Sequence, residues 1–308
     1  MVDSYMWGHV TRISPEAPVP IVAVDKKEDR LGGAANVALN IQAMGATPVL
    51  CSVVGSDKSG QVFTDLLRKQ KISTDFIIKS KERVTTVKTR VIGNNHQMLR
   101  VDEEVTAVLT NKESEQLLLT IKKILSGQKI DVIIFEDYDK GCLHPVVIKG
   151  ILAMAAKKNI PTAVDPKKNN FWEYSGVTLF KPNLKELREG LKLDFDHSNL
   201  KELNKVVSRF SKKQHIQIAL ITLSDKGMYT HSNSSKHIIP AHVRTISDVS
   251  GAGDTVISIA ALCVASGLDP VLTAKLANLA GGLVCEQTGV VPVNKKQLLQ
   301  EAMQLNKF

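Results

Sequence analysis

Short apolar segments rich in β-branched residues alternate with segments of helical periodicity, and this alternation limits the fold more than any other feature of the chain. The apolar segments predict strands: TPVLCSVVG (47–55), DVIIFE (131–136), IPTAVD (160–165), VTLFKPN (177–183) and IALITLS (218–224). Helical patterns accompany them at 34–45, 61–70, 114–127 and 145–159. Near-continuously apolar strands separated by helices predict an α/β fold, a three-layer sandwich whose central, mostly parallel sheet is covered on both faces.

Polar side chains stand at the carboxyl ends of these predicted segments or directly after them: Asp137, Asp165, Asn183 and Ser224. In open α/β sheets the ligand binds in the crevice beyond the carboxyl ends of the strands. We therefore expect the ligand site at that edge of the sheet.

Two segments break the alternation and predict a second, smaller sheet. APVPIVAVD (17–25) alternates with prolines, and TTVKTRVIGNNHQMLRVDEE (85–104) predicts a hairpin that turns near Gly93-Asn94-Asn95. We expect a small β lid formed by about 9–30 and 84–103. A two-stranded hairpin is marginal alone, and its apolar faces and open edges favour a homodimer that covers them.

The lid segment carries three cations. Strand alternation places Lys88 and Arg90 on one face, and Arg100 on the returning strand lies within reach of that face. Three cations would repel one another without an anion, so the arrangement favours binding of a phosphate group. The alternative is a solvated, lysine-protected sheet edge, which is common.

Charge and composition exclude several classes of function. The formal net charge of +9 favours acidic partners, but the lysines are scattered and aromatic residues make up 5% of the chain, so we expect phosphorylated metabolites and no nucleic acid. Neither the four cysteines nor the eight histidines have metal-ligand spacing. The chain shows no signal-peptide pattern and no apolar run of about 20 residues, so we expect a cytoplasmic protein that does not cross a membrane.

The segment SDVSGAGDT (247–255) precedes a long apolar helix and is the strongest chemical signal. Glycines at a helix start allow backbone N–H groups to face an anion, and the helix dipole adds positive potential there. A carboxylate at Asp254 could accept a proton from a substrate hydroxyl, with Gly251, Ala252 and Gly253 supplying N–H groups to a transferring phosphate. Taken alone, Asp254 could equally be a helix cap.

Three motifs together resemble the ribokinase-like, or PfkB-type, sugar kinases, which include adenosine and fructose kinases. They are LGGAANVALNIQAMG (31–45), NLKE (183–186) and DVSGAGDT (248–255), and they occur in the family's order across nearly the whole chain. The resemblance implies a ribokinase-like fold and an ATP-dependent kinase that uses Mg²⁺, with Asp254 as the catalytic base.

Further segments resemble the branch of this family that phosphorylates D-glycero-β-D-manno-heptose 7-phosphate at the anomeric hydroxyl during synthesis of the lipopolysaccharide precursor ADP-heptose. They are SYMWGHVTRISPEAPVPIV (4–22), VKTRV (87–91), LRVDEE (99–104), DYDKG (137–141) and DPK (165–167). In many members a nucleotidyltransferase domain follows the kinase, and we expect that activity to be absent from this polypeptide.

The resemblance also implies roles for individual residues. Those expected to bind the sugar phosphate are Asp3, Arg12, Gly32, Gly33, Asn36, Lys88, Arg90, Arg100 and Asp137. Those expected to bind ATP are Asn183, Glu186, Thr222, Ser224, Gly227 and Asn278, with Glu186 also holding Mg²⁺ through water. Ordinary structural roles stay open for some of them: Asn183 and Glu186 could form a capping box, and the small residues around Asn278 could serve helix packing.

One departure and three competing functions remain. The family begins with a β-strand ahead of the residues that match Asp3, so the resemblance implies a truncated first core strand.

Competing functions are another ribokinase-like sugar or sugar-phosphate kinase, a non-catalytic relative that binds a sugar phosphate, and a dinucleotide-binding oxidoreductase. The last is disfavoured because GGAANVA (32–38) lacks the G-x-G-x-x-G pattern.

Overall fold

The computed structural model describes residues 1–233, 235–242 and 244–305. Its strands are β1 (Val2–Ile13), β2 (Pro20–Leu31), β3 (Ser52–Gly55), β4 (Ile77–Ser80), β5 (Val87–Gly93), β6 (His96–Glu103), β7 (Ile133–Glu136), β8 (Thr162–Asp165), β9 (Leu179–Phe180), β10 (Ile218–Thr222), β11 (Met228–Ser232) and β12 (Lys236–Ile239). Its α-helices are α1 (Ala34–Ala43), α2 (Lys58–Lys69), α3 (Asn111–Gly127), α4 (Pro145–Lys157), α5 (Leu184–Leu191), α6 (Leu200–Gln214), α7 (Ala252–Ala265), α8 (Pro270–Cys285) and α9 (Lys295–Leu305).

The main sheet has six strands in the order β12-β11-β10-β9-β8-β7. Strands β7 to β10 are parallel, and β11 and β12 add an antiparallel edge. The mostly parallel sheet predicted from the apolar segments is therefore confirmed. The carboxyl ends of β7 and β8 lie side by side, since Glu136 pairs with Asp165.

Helices cover both faces of this sheet because successive strand residues point in opposite directions. Ala163 and Leu179 face a core built with α1, α7, α8 and α9. Their neighbours Val164 and Phe180 face a second core built with α3, α4, α5 and α6. This confirms the three-layer sandwich. Among the described residues, no helix is both long and apolar enough to span a membrane.

The lid is a four-stranded sheet in the order β2-β1-β5-β6. Its β5–β6 hairpin turns at Asn94 and Asn95, which have φ values of 52° and 65°, as the predicted tight turn requires. Strand β1 joins this sheet from Val2 and pairs with β2 along its length, so the sheet extends beyond the 9–30 segment predicted for the lid, whose boundary stays a prediction.

A slot divides the parallel strands into two groups. Strands β3 and β4 form a separate parallel pair, and β7 is the edge of the six-stranded sheet. Between β3 and β7 lies a cavity of about 790 Å³ with apolar walls that include Leu50, Val53, Ile134 and Phe135, and Met1 lies at its lining. The truncated first core strand implied by the resemblance stays a prediction, and this slot is where such a strand would fit.

Candidate active site

The start of α7 forms an anion-binding corner at the edge of the sheet. Gly251 precedes the helix with φ of 81°, a backbone conformation that favours glycine, and the described hydrogen bonds include no side-chain cap for it. The first-turn N–H groups of a helix lack intrahelical acceptors, so they remain available to a ligand. The rest of α7 is buried between α1 and α8, which fixes the direction of these groups.

Asp254 lies in this first turn and is held by two side chains. Asn36 Nδ2 donates a hydrogen bond to Asp254 Oδ2 over 2.8 Å, and Tyr138 Oη donates to Oδ1 over 2.7 Å. Burial raises the pKa of the carboxyl group to about 6, although both hydrogen bonds oppose the shift. The group is therefore ionised at neutral pH and basic enough to accept a proton. Asn36, expected to bind the sugar, contacts the predicted base itself.

Tyr138, and not the predicted substrate ligand Asp137, contacts Asp254. Asp137 is buried, and its carboxylate accepts hydrogen bonds from the Asp139 amide (2.9 Å), Asn170 Nδ2 (3.0 Å) and Tyr174 Oη (2.7 Å). Three acceptor positions of this carboxylate are therefore used inside the chain, and its predicted contact with the substrate stays a prediction. Neighbouring residues after a strand point in different directions, and it is Tyr138 that reaches Asp254.

Two glycines allow β1 and α1 to approach closely. A β-carbon at Gly32 would overlap the Asp3 carboxylate. Gly33 has φ of 59° and ψ of −133°, and a β-carbon there would lie 2.6 Å from Met1 Cε and 3.2 Å from the Tyr138 ring. Both positions therefore need glycine to bring Asn36 beside Asp254.

The three lid cations share one face, as predicted. Arg90 lies directly opposite Arg100, and Lys88 lies opposite Asp102. The argument from repulsion among three unneutralised cations does not apply in the folded chain, and their contact with a substrate phosphate stays a prediction. Each forms an ion pair within the chain: Arg90 with the buried Asp3, Lys88 with Asp102 (3.0 Å) and Glu104 (3.7 Å), and Arg100 with Asp102 (2.8 Å).

Arg12 lies apart from these groups. It is exposed near the far end of β1, nine residues beyond Asp3, which corresponds to about 30 Å along a strand. Within one subunit the structure therefore does not bring Arg12 to the predicted sugar site, and a role for it stays a prediction.

Two lysines outside the predicted binding sets, Lys167 and Lys181, lie around Asp165 near the start of α7. Lys181 is buried and contacts Asp165 Oδ2 at 2.9 Å, and a β-carbon at Gly253 would lie 3.6 Å from its Nζ. Lys167 bridges Asp165 (3.6 Å) and Glu186. Although burial lowers it, the pKa of Lys167 is raised overall by these carboxylates. Two cations thus stand next to the N–H groups of α7.

The residues expected to bind ATP gather at the ends of β9 and β10. Asn183 and Glu186 form a reciprocal capping box at the start of α5, with both hydrogen bonds at 2.8 Å, so the structural alternative for this pair is realised. Asn183 pairs with Thr222, and with Ser224 it lines a depression of about 540 Å³. A role in ATP binding is compatible with the cap and stays a prediction.

Gly227 and Asn278 lie near the end of β12. Gly227 has φ of 90°, and a β-carbon there would overlap the Ile239 carbonyl oxygen at the end of β12. Asn278 on α8 donates a hydrogen bond to the Pro240 carbonyl oxygen over 2.9 Å. Both residues therefore contact the same connection after β12, and their contact with a nucleotide stays a prediction.

Comparisons of the sequence with a family model and with known proteins point to the same family. The model of the pfkB family carbohydrate kinases matches residues 2–297. The bifunctional protein HldE of Sulfurimonas denitrificans is 36% identical over 308 residues, and that of Campylobacter jejuni (strain 81116) is 39% identical over 295 residues. These alignments cover 100% and 96% of this chain but 63% and 61% of the relatives, so the chain spans about three fifths of their length.

Solved structures share the fold at low identity. Phosphofructokinase-2 from Escherichia coli, solved with fructose-6-phosphate, has a TM-score of 0.82 at 16% identity and covers 99% of this chain and 96% of its own. Ribokinase from Arabidopsis thaliana, solved with ribose and ATP, has a TM-score of 0.74 at 13% identity and covers 98% and 95%. The ribokinase-like fold expected from the three motifs is therefore confirmed.

Proposed function

Because the chain belongs to the pfkB family of carbohydrate kinases and is therefore an ATP-dependent sugar kinase, we propose that its acceptor is D-glycero-β-D-manno-heptose 7-phosphate. The product would be the 1,7-bisphosphate, an intermediate on the way to ADP-heptose. The similarity to the bifunctional HldE proteins over the whole chain supports this branch of the family. The motifs 4–22, 87–91 and 99–104 are the local segments that resemble this branch.

The observation that carries the proposal is the placement of Asp254 among the first-turn N–H groups of α7. Asp254 takes the proton of the anomeric hydroxyl, and the resulting oxygen attacks the γ-phosphorus of ATP. A new P–O bond forms as the bond between the γ-phosphorus and the β,γ-bridging oxygen breaks, and ADP leaves. The N–H groups at Gly251 to Gly253 stabilise the charge on the transferring phosphoryl group.

The phosphates of ATP meet a suitable electrostatic environment. Lys167 and Lys181 lie beside the start of α7. The partly buried Glu186 carboxylate suits Mg²⁺, which prefers oxygen ligands and keeps several waters, so Glu186 would hold the ion through water. Bound there, the ion would neutralise part of the negative charge of the ATP phosphates. The nucleotide would lie over Asn183, Thr222, Ser224, Gly227 and Asn278.

The lid would recognise the phosphate already on the sugar. Arg100 is the most exposed of the three lid cations, with 49% of its side chain accessible, and it shares Asp102 with Lys88. A substrate phosphate can therefore pair with Arg100 in place of Asp102, while Asp102 remains paired with the less exposed Lys88. The lid exposes the apolar side chains of Val24, Met98, Leu99 and Val101, which supports burial of apolar lid surface in a homodimer.

The test is a substrate panel read by ADP release, with heptose 7-phosphate, the unphosphorylated heptose, fructose 6-phosphate and ribose. We expect the highest kcat/KM with heptose 7-phosphate and a turnover about 10²–10⁴-fold lower with Asp254→Asn. A preference for fructose 6-phosphate or ribose would assign the chain to another branch. Binding of a sugar phosphate without ADP release would favour the non-catalytic alternative.

A further inference from the structure

Three carboxylates meet at the carboxyl edge of the six-stranded sheet. Oxygen atoms of Glu136, Asp165 and Asp254 all lie within 4.8 Å of one another. Asp254 is the base of the proposed function and Asp165 holds the buried Lys181. Glu136, the last residue of β7, has no part in that function and was not marked by any motif.

The three groups differ in their partners. Asp254 accepts hydrogen bonds from Asn36 and Tyr138, and Asp165 pairs with Lys181 at 2.9 Å. Neither oxygen of Glu136 has a hydrogen-bond partner among the described residues, and both oxygens are closed to solvent. An ionised carboxylate in that position would be a buried charge without a donor, which is strongly unfavourable.

The nearby cations do not compensate for a third negative charge. Lys181 is committed to Asp165, and Lys167 is shared between Asp165 and Glu186. The Met1 α-amino group faces Asp254, but burial lowers its pKa to about 6, so it is largely neutral above pH 7. The tyrosines that face Glu136, Tyr138 and Tyr174, carry no charge near neutral pH because burial raises the pKa of each.

When like charges crowd a buried site, one group keeps its proton. Asp254 and Asp165 each have donors that stabilise the ionised form, whereas Glu136 has none. Burial first, and then the charges of Asp165 and Asp254, hold the pKa of Glu136 well above its usual range.

We propose that Glu136 is a positioning residue that stays protonated at neutral pH and thereby allows Asp254 beside it to act as an anionic base. Ionisation of Glu136 at higher pH would place a second negative charge beside Asp254 and near the ATP phosphates, which would oppose phosphoryl transfer. The inference rests on the proposed function only for the role given to Asp254. The protonation state of Glu136 itself can be measured without any substrate.

The direct test is infrared spectroscopy of the full chain at pH 8 without nucleotide. We expect a carbonyl band of a protonated carboxylic acid in the wild type that disappears in Glu136→Gln. Glu173→Gln is the matched control, since Glu173 pairs with Lys149 on the surface, and it should keep the band. Absence of this band from the wild type would overturn the proposal. Loss of the band on addition of Mg²⁺ alone would also overturn it, because a cation would then take the place of the proton.

The kinetic test compares kcat/KM of Glu136→Gln and the wild type from pH 6 to pH 10. The ratio of variant to wild type should rise with increasing pH by about tenfold or more, because only the wild type gains a charge beside the base. If the acid limb near pH 6 instead moves down by about one pH unit in the variant, Glu136 is already ionised at neutral pH and the proposal fails. If the band is present but no sugar is phosphorylated, the proposed function fails while the protonation of Glu136 stands.

Discussion

Replacement of Asp254 by Asn should abolish most activity and at the same time stabilise the folded protein. Burial raises the pKa of this carboxyl group from 3.8 to about 6, which means that its ionisation is disfavoured in the folded state. The folded chain therefore holds the proton more tightly than the unfolded chain, and wild-type stability falls as pH rises from about 4 to 6. At 1.36 kcal/mol for each pH unit, the penalty above pH 7 is about 3 kcal/mol.

Asparagine carries no charge at any pH, so Asp254→Asn escapes this penalty. It can still accept from Asn36, while its amide must donate to Tyr138 Oη, and the gain at pH 8 should therefore lie below the limit of about 3 kcal/mol. The gain should shrink toward zero as the pH approaches 4, where the wild-type carboxyl group is protonated. Turnover should fall about 10²–10⁴-fold, the usual contribution of a positioned general base.

Urea unfolding at pH 8 and pH 5, together with ADP release, measures both effects. Asp269→Asn is the matched control, because Asp269 caps the start of α8 and Asn is an equally good cap, so neither stability nor turnover should change. A variant at position 254 that is less stable at pH 8, or equally stabilised at both pH values, would refute the electrostatic reasoning. Wild-type turnover would show that Asp254 is not the catalytic base.

Three further predictions concern the lid and the slot. Arg100→Ala should raise KM for the phosphosugar about tenfold or more and leave KM for ATP unchanged, since a charge-assisted contact is worth about 1.5–3 kcal/mol. Arg68→Ala on α2 is the control, and an unchanged KM for the phosphosugar would favour the solvated edge. Light scattering should show a homodimer that Leu99→Lys converts to monomers, whereas a fully active wild-type monomer would contradict the lid interface. An apolar extension of about five residues joined to Met1 should fill the slot beside β3 and raise Tm, while a polar extension of equal length should not; equal Tm values would show that the slot does not accept a strand.

Much of the fold could be predicted because its signals are local. Apolar runs such as 131–136 and 218–224 became the strands of the main sheet, and the glycines before α7 placed Asp254 at a helix start. The hairpin turn at Asn94 and Asn95 was also predictable, since these residues tolerate positive φ.

The partners of the charged residues could not be predicted, because they depend on register between distant strands. Arg90 meets Asp3 only because β5 pairs with β1, and nothing near Arg90 in the sequence indicates this contact. Lys181 resembles a solvated lysine after a short strand, yet packing against α7 buries it against Asp165. Tyr138 was visible at a strand end, but its reach to Asp254 depends on how α7 crosses the sheet.

The slot between β3 and β7 also bears on the cooperativity of the fold. No strand pairing among the described residues joins the part that carries the lid and Asn36 to the part that carries Asp254 and the residues proposed to bind ATP. The two parts meet instead through packing of α1 on α7 and through side-chain bonds such as the one from Asn36 to Asp254. Separation of the parts therefore breaks no sheet ladder and requires less free energy than global unfolding. Such an opening would break the hydrogen bond from Asn36 to Asp254 while the strand pairings of each sheet stay intact.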